Sequence, residues 1–233
     1  MDKLILGLEW YVVFLFSIVL HEAAHAFVAM RLGDLTAYHG GHVTLDPIPH
    51  IRRAPFGTVV VPIISFLVGG WMIGWASAPY DVAWANRNPR RAGLMALAGP
   101  LANLLLVIIA AVSIRARMMM GVFDAPERLQ FTQIAVAVQP GMASWGAVML
   151  SILFTLNLVF FVFNLIPFPP LDGSGVLSLF MRADVSRRYR EFLSTPMMSM
   201  AGIMIAWRVF NPVFQPIRLA AVNLLYLGVA HYG

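Results

Sequence analysis

Apolar runs long enough to cross a bilayer, separated by short arginine-bearing loops, make this chain an all-α polytopic membrane protein. Hydrophobic residues are 60% of its 233 residues and charged ones 12%, with a mean hydropathy of +0.77, a balance foreign to a soluble domain of this size. Three clean apolar stretches, at about 4–30, 93–114 and 143–167, each reach the ~20 residues that a spanning helix needs. Basic residues outnumber acidic ones 16 to 11, yet the arginines sit in loops between the spans. That is the positive-inside pattern of a bilayer protein and not the footprint of a nucleic-acid binder, so the lipid bilayer is implied as a partner and nucleic acid is not. There is no cysteine, which excludes disulfides, thiolate metal ligands and cysteine nucleophiles.

The predicted architecture is a core of three transmembrane helices plus a re-entrant segment, with C-terminal helices packed around it. All of it forms one membrane-embedded domain over residues 1–233, with the core at 4–180. The first span carries Val19-Leu20-His21-Glu22-Ala23-Ala24-His25-Ala26-Phe27. On a helix His21 and His25 lie at i and i+4, one turn apart on one face, the spacing that two nitrogen ligands of a single zinc ion need. Glu22 points about 100° round the helix, placed to touch a metal-bound water as a general base without being a ligand. The competing reading is a metal-free polar patch. Ionisable groups at membrane depth each cost about 2.5–3.5 kcal/mol unless compensated, which favours the metal. Lys3 and the small-x-small Ala24-His25-Ala26 formally mimic a signal peptide, but cleavage there would split the motif and the apolar pattern runs on to Met30.

Residues 34–57 form a polar loop with His39, His42, Asp46 and His50. Gly40-Gly41, Pro47 and Pro49 give the histidines no fixed spacing, so exposed or strand-edge histidines near a cavity mouth are expected rather than a second metal site. The apolar run 58–78 is interrupted by Pro62, Gly69-Gly70 and Gly74 and ends in Trp75-Ala-Ser-Ala-Pro79. Such a broken segment is tolerated at membrane depth only when it packs in protein or lines a wet cavity. The next span contains Gly99-Pro100-Leu101-Ala102-Asn103. Here two readings of Asn103 stand level: a kink with an interhelical hydrogen bond, or a contact with substrate. Met118-Met119-Met120 reads as interfacial packing.

The span at 143–167 ends in Asn164-Leu-Ile-Pro167-Phe-Pro169-Pro170-Leu-Asp172-Gly173. Its prolines unwind the chain near membrane depth and present Asp172 from an extended segment. Taken alone, Asp-Gly is a common surface turn. A catalytic zinc, however, takes three protein ligands, and Asp172 is the acidic residue at such a break. In 174–233 a basic loop (Arg182, Arg187, Arg188, Arg190) precedes two imperfect apolar runs, 196–210 and 213–230, separated by Pro212 and Pro216. Packing around the core is their expected role, with Arg208 and Arg218 snorkelling.

In their order, His21-Glu22-x-x-His25, Gly99-Pro100-x-x-Asn103 and Asn164-x-x-Pro167-x-Pro169-x-Leu171-Asp172-Gly173 resemble the site-2 protease family of intramembrane zinc metalloproteases over roughly residues 15–180. Gly33 through His50, with Trp75–Pro79, is similar to a compact subgroup without PDZ or CBS domains. The resemblance implies one Zn2+ held by His21, His25 and Asp172, Glu22 as general base, and Asn164 near the scissile bond. An amide such as Asn164 has the chemistry to hydrogen-bond the developing oxyanion. The implied substrate is a transmembrane segment of another protein, because a helix must unwind before its peptide bonds are open to attack. A prenyl-protein endopeptidase, a silent binding module and a metal transporter are the rival readings. The oligomeric state is not legible.

Parity adds a topological expectation. His21 and His25 lie toward the end of the first span and Asp172 beyond the end of the 143–167 span. To meet at one ion, one of the three intervening apolar segments must fail to cross. The Pro- and Gly-broken 58–78 is the candidate. It then gathers Arg31, Arg52, Arg53, Arg87, Arg90, Arg91, Arg182, Arg187, Arg188 and Arg190 on the metal side, which places that side toward the cytoplasm of a prokaryotic cell membrane.

Overall fold

The computed structural model describes residues 3–193 and 195–232. Among the described residues, four helices are long and apolar enough to cross a membrane: α1 (Lys3–Leu32), α6 (Pro89–Met119), α7 (Met142–Asn164) and α10 (Pro196–Leu225). Short helices lie between them: α2 (Thr36–His39), α3 (Pro47–Arg53), α4 (Val61–Gly69, preceded by a π turn at Phe56–Val60), α5 (Val82–Arg87), α8 (Asp172–Val176) and α9 (Ala183–Leu193). The one sheet among the described residues is a two-residue antiparallel pair, Phe123–Asp124 with Val136–Ala137. All-α polytopic architecture is therefore what the chain adopts.

α7 is the centre of the bundle. One of its faces packs Phe154, Leu158 and Val162 with Val107, Ala110 and Ile114 of α6 and Ala206, Phe210 and Phe214 of α10. The other packs Ile152 and Leu156 against Trp10, Phe14 and Ile18 of α1 and Phe66 of α4. Pro212 and Pro216 do not divide the C-terminal run in two as expected. They lie inside one 30-residue helix, α10, since a helix packed on neighbours and lipid loses only the amide bonds that proline cannot make.

The chain between α1 and α6 leaves and returns on one side. Asp34, just past α1, accepts from the Thr36 amide at 2.9 Å through one carboxylate oxygen and from the Asp81 amide at 2.8 Å through the other. Arg91 at the start of α6 donates to the Leu32 carbonyl at 3.2 Å. From α3 the chain turns through 111° into the π turn and α4. It descends beside α1 until Lys3 Nζ reaches the Leu67 carbonyl at 3.3 Å, reverses at Gly70 in the left-handed region (φ 75°), and climbs back extended through residues 71–81. The Trp75 amide donates to the Gly57 carbonyl at 3.1 Å, and Gly57 and Gly74 permit that approach. A Cβ on Gly57 would lie 2.2 Å from the Trp75 oxygen, and one on Gly74 2.2 Å from the Gly57 oxygen. The segment 58–78 is thus a hairpin of helix and extended chain, the shape expected of a re-entrant segment.

Candidate active site

α1 places His21, Glu22 and His25 inside the bundle, all buried. The chain after α7 breaks at Pro167–Pro170, and extended Leu171 delivers Asp172 at the first residue of α8. The three donor atoms converge. His21 Nε2 and His25 Nε2 are 3.0 Å apart, and Asp172 Oδ2 lies 3.1 Å from the first and 3.3 Å from the second. A tetrahedral ion with ligand distances near 2.0–2.1 Å has donor–donor edges of about 3.3 Å, so the triangle is one face of such a site. A single proton could bridge only one edge; a divalent cation serves all three.

The far sides of both rings settle which nitrogen is free. His25 Nδ1 lies 2.7 Å from the Met95 carbonyl, and His21 Nδ1 lies 2.6 Å from Asn103 Oδ1. Both oxygens can only accept, so Nδ1 carries the proton and the Nε2 lone pairs face the ion position. The Asn103 orientation is fixed in turn. Its Nδ2 donates to Asn157 Oδ1 at 2.8 Å, and Asn157 Nδ2 donates to Ser17 Oγ at 2.9 Å and to the Leu153 carbonyl at 2.8 Å. Ser17 Oγ closes the chain on the Val13 carbonyl at 2.7 Å. Asn103, Asn157 and Ser17 are all 0% exposed.

α6 meets the ligand pair at Gly99. A Cβ there would sit 2.3 Å from His25 Nε2 and 2.5 Å from His21 Nε2, so the glycine leaves open the space that an ion and its water need. The donor set fits zinc: two neutral imidazoles and a carboxylate, held from behind, with an open fourth direction.

That direction opens into a cavity of about 280 Å³, lined by Glu22, His25 and Asp172, by the Ala76–Tyr80 stretch, by Ala96 and by Arg190 among others.

Not every sequence expectation lands here. Asn103 is absent from the wall of this cavity; both ends of its amide are engaged inside the bundle, in an interhelical hydrogen bond that orients His21. Asn164 ends α7 with Nδ2 donating to its own helix at the Phe160 carbonyl, 3.0 Å away, and it is absent from the cavity wall. His42 and His50, expected exposed, are buried with rings 5.4 Å apart and perpendicular, because α2 and α3 fold the loop back onto α1. His39 is exposed beside Tyr38. Asn157, Ser17 and Gly99 went unread as site residues. Asn157 carried the clearest signal, an amide in the middle of an apolar span.

A helical, polytopic membrane protein whose His-Glu-x-x-His helix closes on a carboxylate is, as a class, a membrane metallopeptidase. Residues 10–207 match the model of peptidase family M50, and the chain belongs to that family, the site-2 proteases. It is 30% identical over 221 residues to "Putative zinc metalloprotease YwhC" of Bacillus subtilis, covering 86% of this chain and 90% of that protein. It is 32% identical over 173 residues to "Putative zinc metalloprotease Rip2" of Mycobacterium tuberculosis, covering 74% of this chain and 57% of Rip2, a longer protein. No solved structure gives a significant match.

Proposed function

We propose that this zinc metallopeptidase is an intramembrane endopeptidase that hydrolyses a peptide bond within or next to a transmembrane segment of a substrate membrane protein. The observation that carries the reading is the convergence of His21, His25 and Asp172 on one point, beside Glu22, at the head of a cavity walled by membrane-depth helices. When bound there, zinc supplies a Lewis acid and a water whose pKa falls to about 7.

The chain's own groups do the rest. His21 and His25 hold their lone pairs toward the ion through the Asn103 and Met95 contacts. Glu22, buried but facing the cavity, accepts the water proton as the oxygen adds to the scissile carbonyl, then delivers it to the leaving amine. One wall is extended backbone: among the described residues, the amides of residues 76–78 and 80 donate no backbone hydrogen bond. A substrate segment unwound into a strand finds unpaired donors there, which favours an extended peptide over a helix as the bound form. The ten arginines of the metal-side loops support an active site nearer the cytoplasmic face, and the bacterial relatives support a prokaryotic cell membrane as its location.

The test compares the membrane proteome of cells carrying the wild-type protein with that of cells carrying Glu22→Gln. Single-span proteins truncated within or beside their span in the wild type, and intact with Glu22→Gln, are the expected result. Identical proteomes, together with no cleavage of any such segment by the purified zinc-loaded protein, would sink the reading.

A further inference from the structure

Arg190, on α9, lines the active-site cavity together with Tyr80. Its Nε, Nη1 and Nη2 are all buried, and none has a partner among the described residues. The acids of its own helix are engaged elsewhere: Asp184 lies 3.5 Å from Arg182 and Glu191 3.9 Å from Arg187. Within the cavity, Asp172 faces the two imidazoles, and among the described residues no carboxylate comes within ion-pair distance of Arg190. A guanidinium stripped of water and left without a counter-ion is unfavourable, and it stays charged nonetheless. Its planar fork of N–H donors matches the two oxygens of a carboxylate.

We propose that Arg190 is a specificity-determining subsite that binds a carboxylate of the substrate close to the scissile bond. The inference rests on the peptidase reading only in calling the ligand a substrate. The carboxylate comes either from an Asp or Glu side chain or from a free chain end. Apolar spans rarely carry acids, so the requirement would separate a few substrates from the mass of membrane segments that fit the cavity by shape alone.

The experiment reads binding, so that it does not depend on turnover. Zinc-loaded Glu22→Gln protein in detergent micelles is titrated with fluorescein-labelled apolar peptides of one sequence around a central Asn-Gly. One set carries Asp at each of four positions flanking the break; a second carries Asn there with an amidated end; a third stops at those positions with a free carboxylate. The best Asp peptide or the best free-end peptide should bind roughly tenfold tighter than its amide counterpart, and which of the two does so identifies the source. The preference should persist in part in Arg190→Lys, vanish in Arg190→Met and reverse toward a Lys-bearing peptide in Arg190→Glu, an inversion that a packing role for Arg190 does not produce. Equal affinities for carboxylate and amide peptides, absence of binding by all three sets, or a preference that survives Arg190→Met overturns the proposal. A preference of the expected kind with no cleavage of the Asp peptides by wild-type protein would keep the subsite and reject the peptidase.

Discussion

Gly99 shows how little of an active site a motif discloses by itself. The string Gly-Pro-x-x-Asn is visible in the sequence, but its meaning depends on which face of α6 meets α1. Gly99 opens the ion's space, and Asn103, one turn on, fixes the ring of His21. Gly99→Ala is therefore expected to abolish zinc binding while leaving the helix content of the purified protein intact, because the added methyl would lie 2.3 Å from His25 Nε2. Zinc per chain by atomic absorption, read beside circular dichroism, checks this; a stoichiometric zinc content in Gly99→Ala would refute it. Asn103→Ala should keep the fold and weaken zinc affinity by about 10–100-fold in chelator competition, the usual cost of losing an outer hydrogen bond to a ligating histidine. Asn164→Ala should not change that affinity. By the same assay His21→Ala, His25→Ala and Asp172→Ala should each lose the metal, and Glu22→Gln should retain it while losing cleavage. The His-Glu-x-x-His spacing was legible because both ligands sit on one helix. The partners of their far nitrogens were not, because they come from α6, braced by Asn157 of α7, and only packing brings them together.

At the scale of elements, the α4 hairpin sets the cavity. Its proline and glycines announced a broken segment, and the structure gives each break a place: Gly70 makes the reversal, and Gly57 and Gly74 let the two limbs touch. That one limb is helix and the other extended was not legible, since the helical limb is too short to display a period and the extended limb has no strand partner. Gly57→Ala would force its methyl to within 2.2 Å of the Trp75 carbonyl and push the limbs apart. Loss of cleavage with zinc retained is expected, as the ligands lie on α1 and α8. A Gly57→Ala protein of wild-type activity would show that the wall is dispensable. The base of the hairpin has its own signature. Burial would raise the Asp34 carboxyl, but the Thr36 hydroxyl and amide and the Asp81 amide hold it below the ordinary value. A carboxyl held low stabilises the folded chain while it is ionised, so its contribution is complete above about pH 4 and is lost as the pH falls through the lowered folded value. Wild type should thus lose more thermal stability than Asp34→Asn between pH 6 and pH 3 in detergent. A parallel decline of the two would remove Asp34 as the clasp.

For the molecule as a whole, a metal shared by His21, His25 and Asp172 would fix the topology. α1 runs toward the metal side, and its end is joined to the start of α6 by Arg91 on the Leu32 carbonyl at 3.2 Å, so everything between them leaves and returns on that side. The π turn and α4 together span 14 residues, Phe56–Gly69, about 21 Å at 1.5 Å per residue, too short for the ~30 Å hydrocarbon core. The hairpin tip nonetheless reaches Lys3 at the far end of α1, and the chain turns back there at Gly70, so both limbs begin and end on one side. α6 then crosses away, α7 crosses back to deliver Asp172, and α10 crosses away again, which puts Leu225 and Leu227 beside Arg115 at the far end of α6, with carbonyl contacts of 3.4 and 3.1 Å. Four such crossings would leave both described ends of the chain, Lys3 and Tyr232, on the face opposite the metal, with the loop 120–141. Because the chain has no cysteine, single cysteines report sides without a background. Cysteines at Arg53 and Arg91 should be labelled by an impermeant maleimide from one face, and cysteines at Met120 and His231 from the other. Opposite sides for Arg53 and Arg91 would mean that 58–78 crosses, which would carry Asp172 away from His21 and His25 and make a shared metal site impossible.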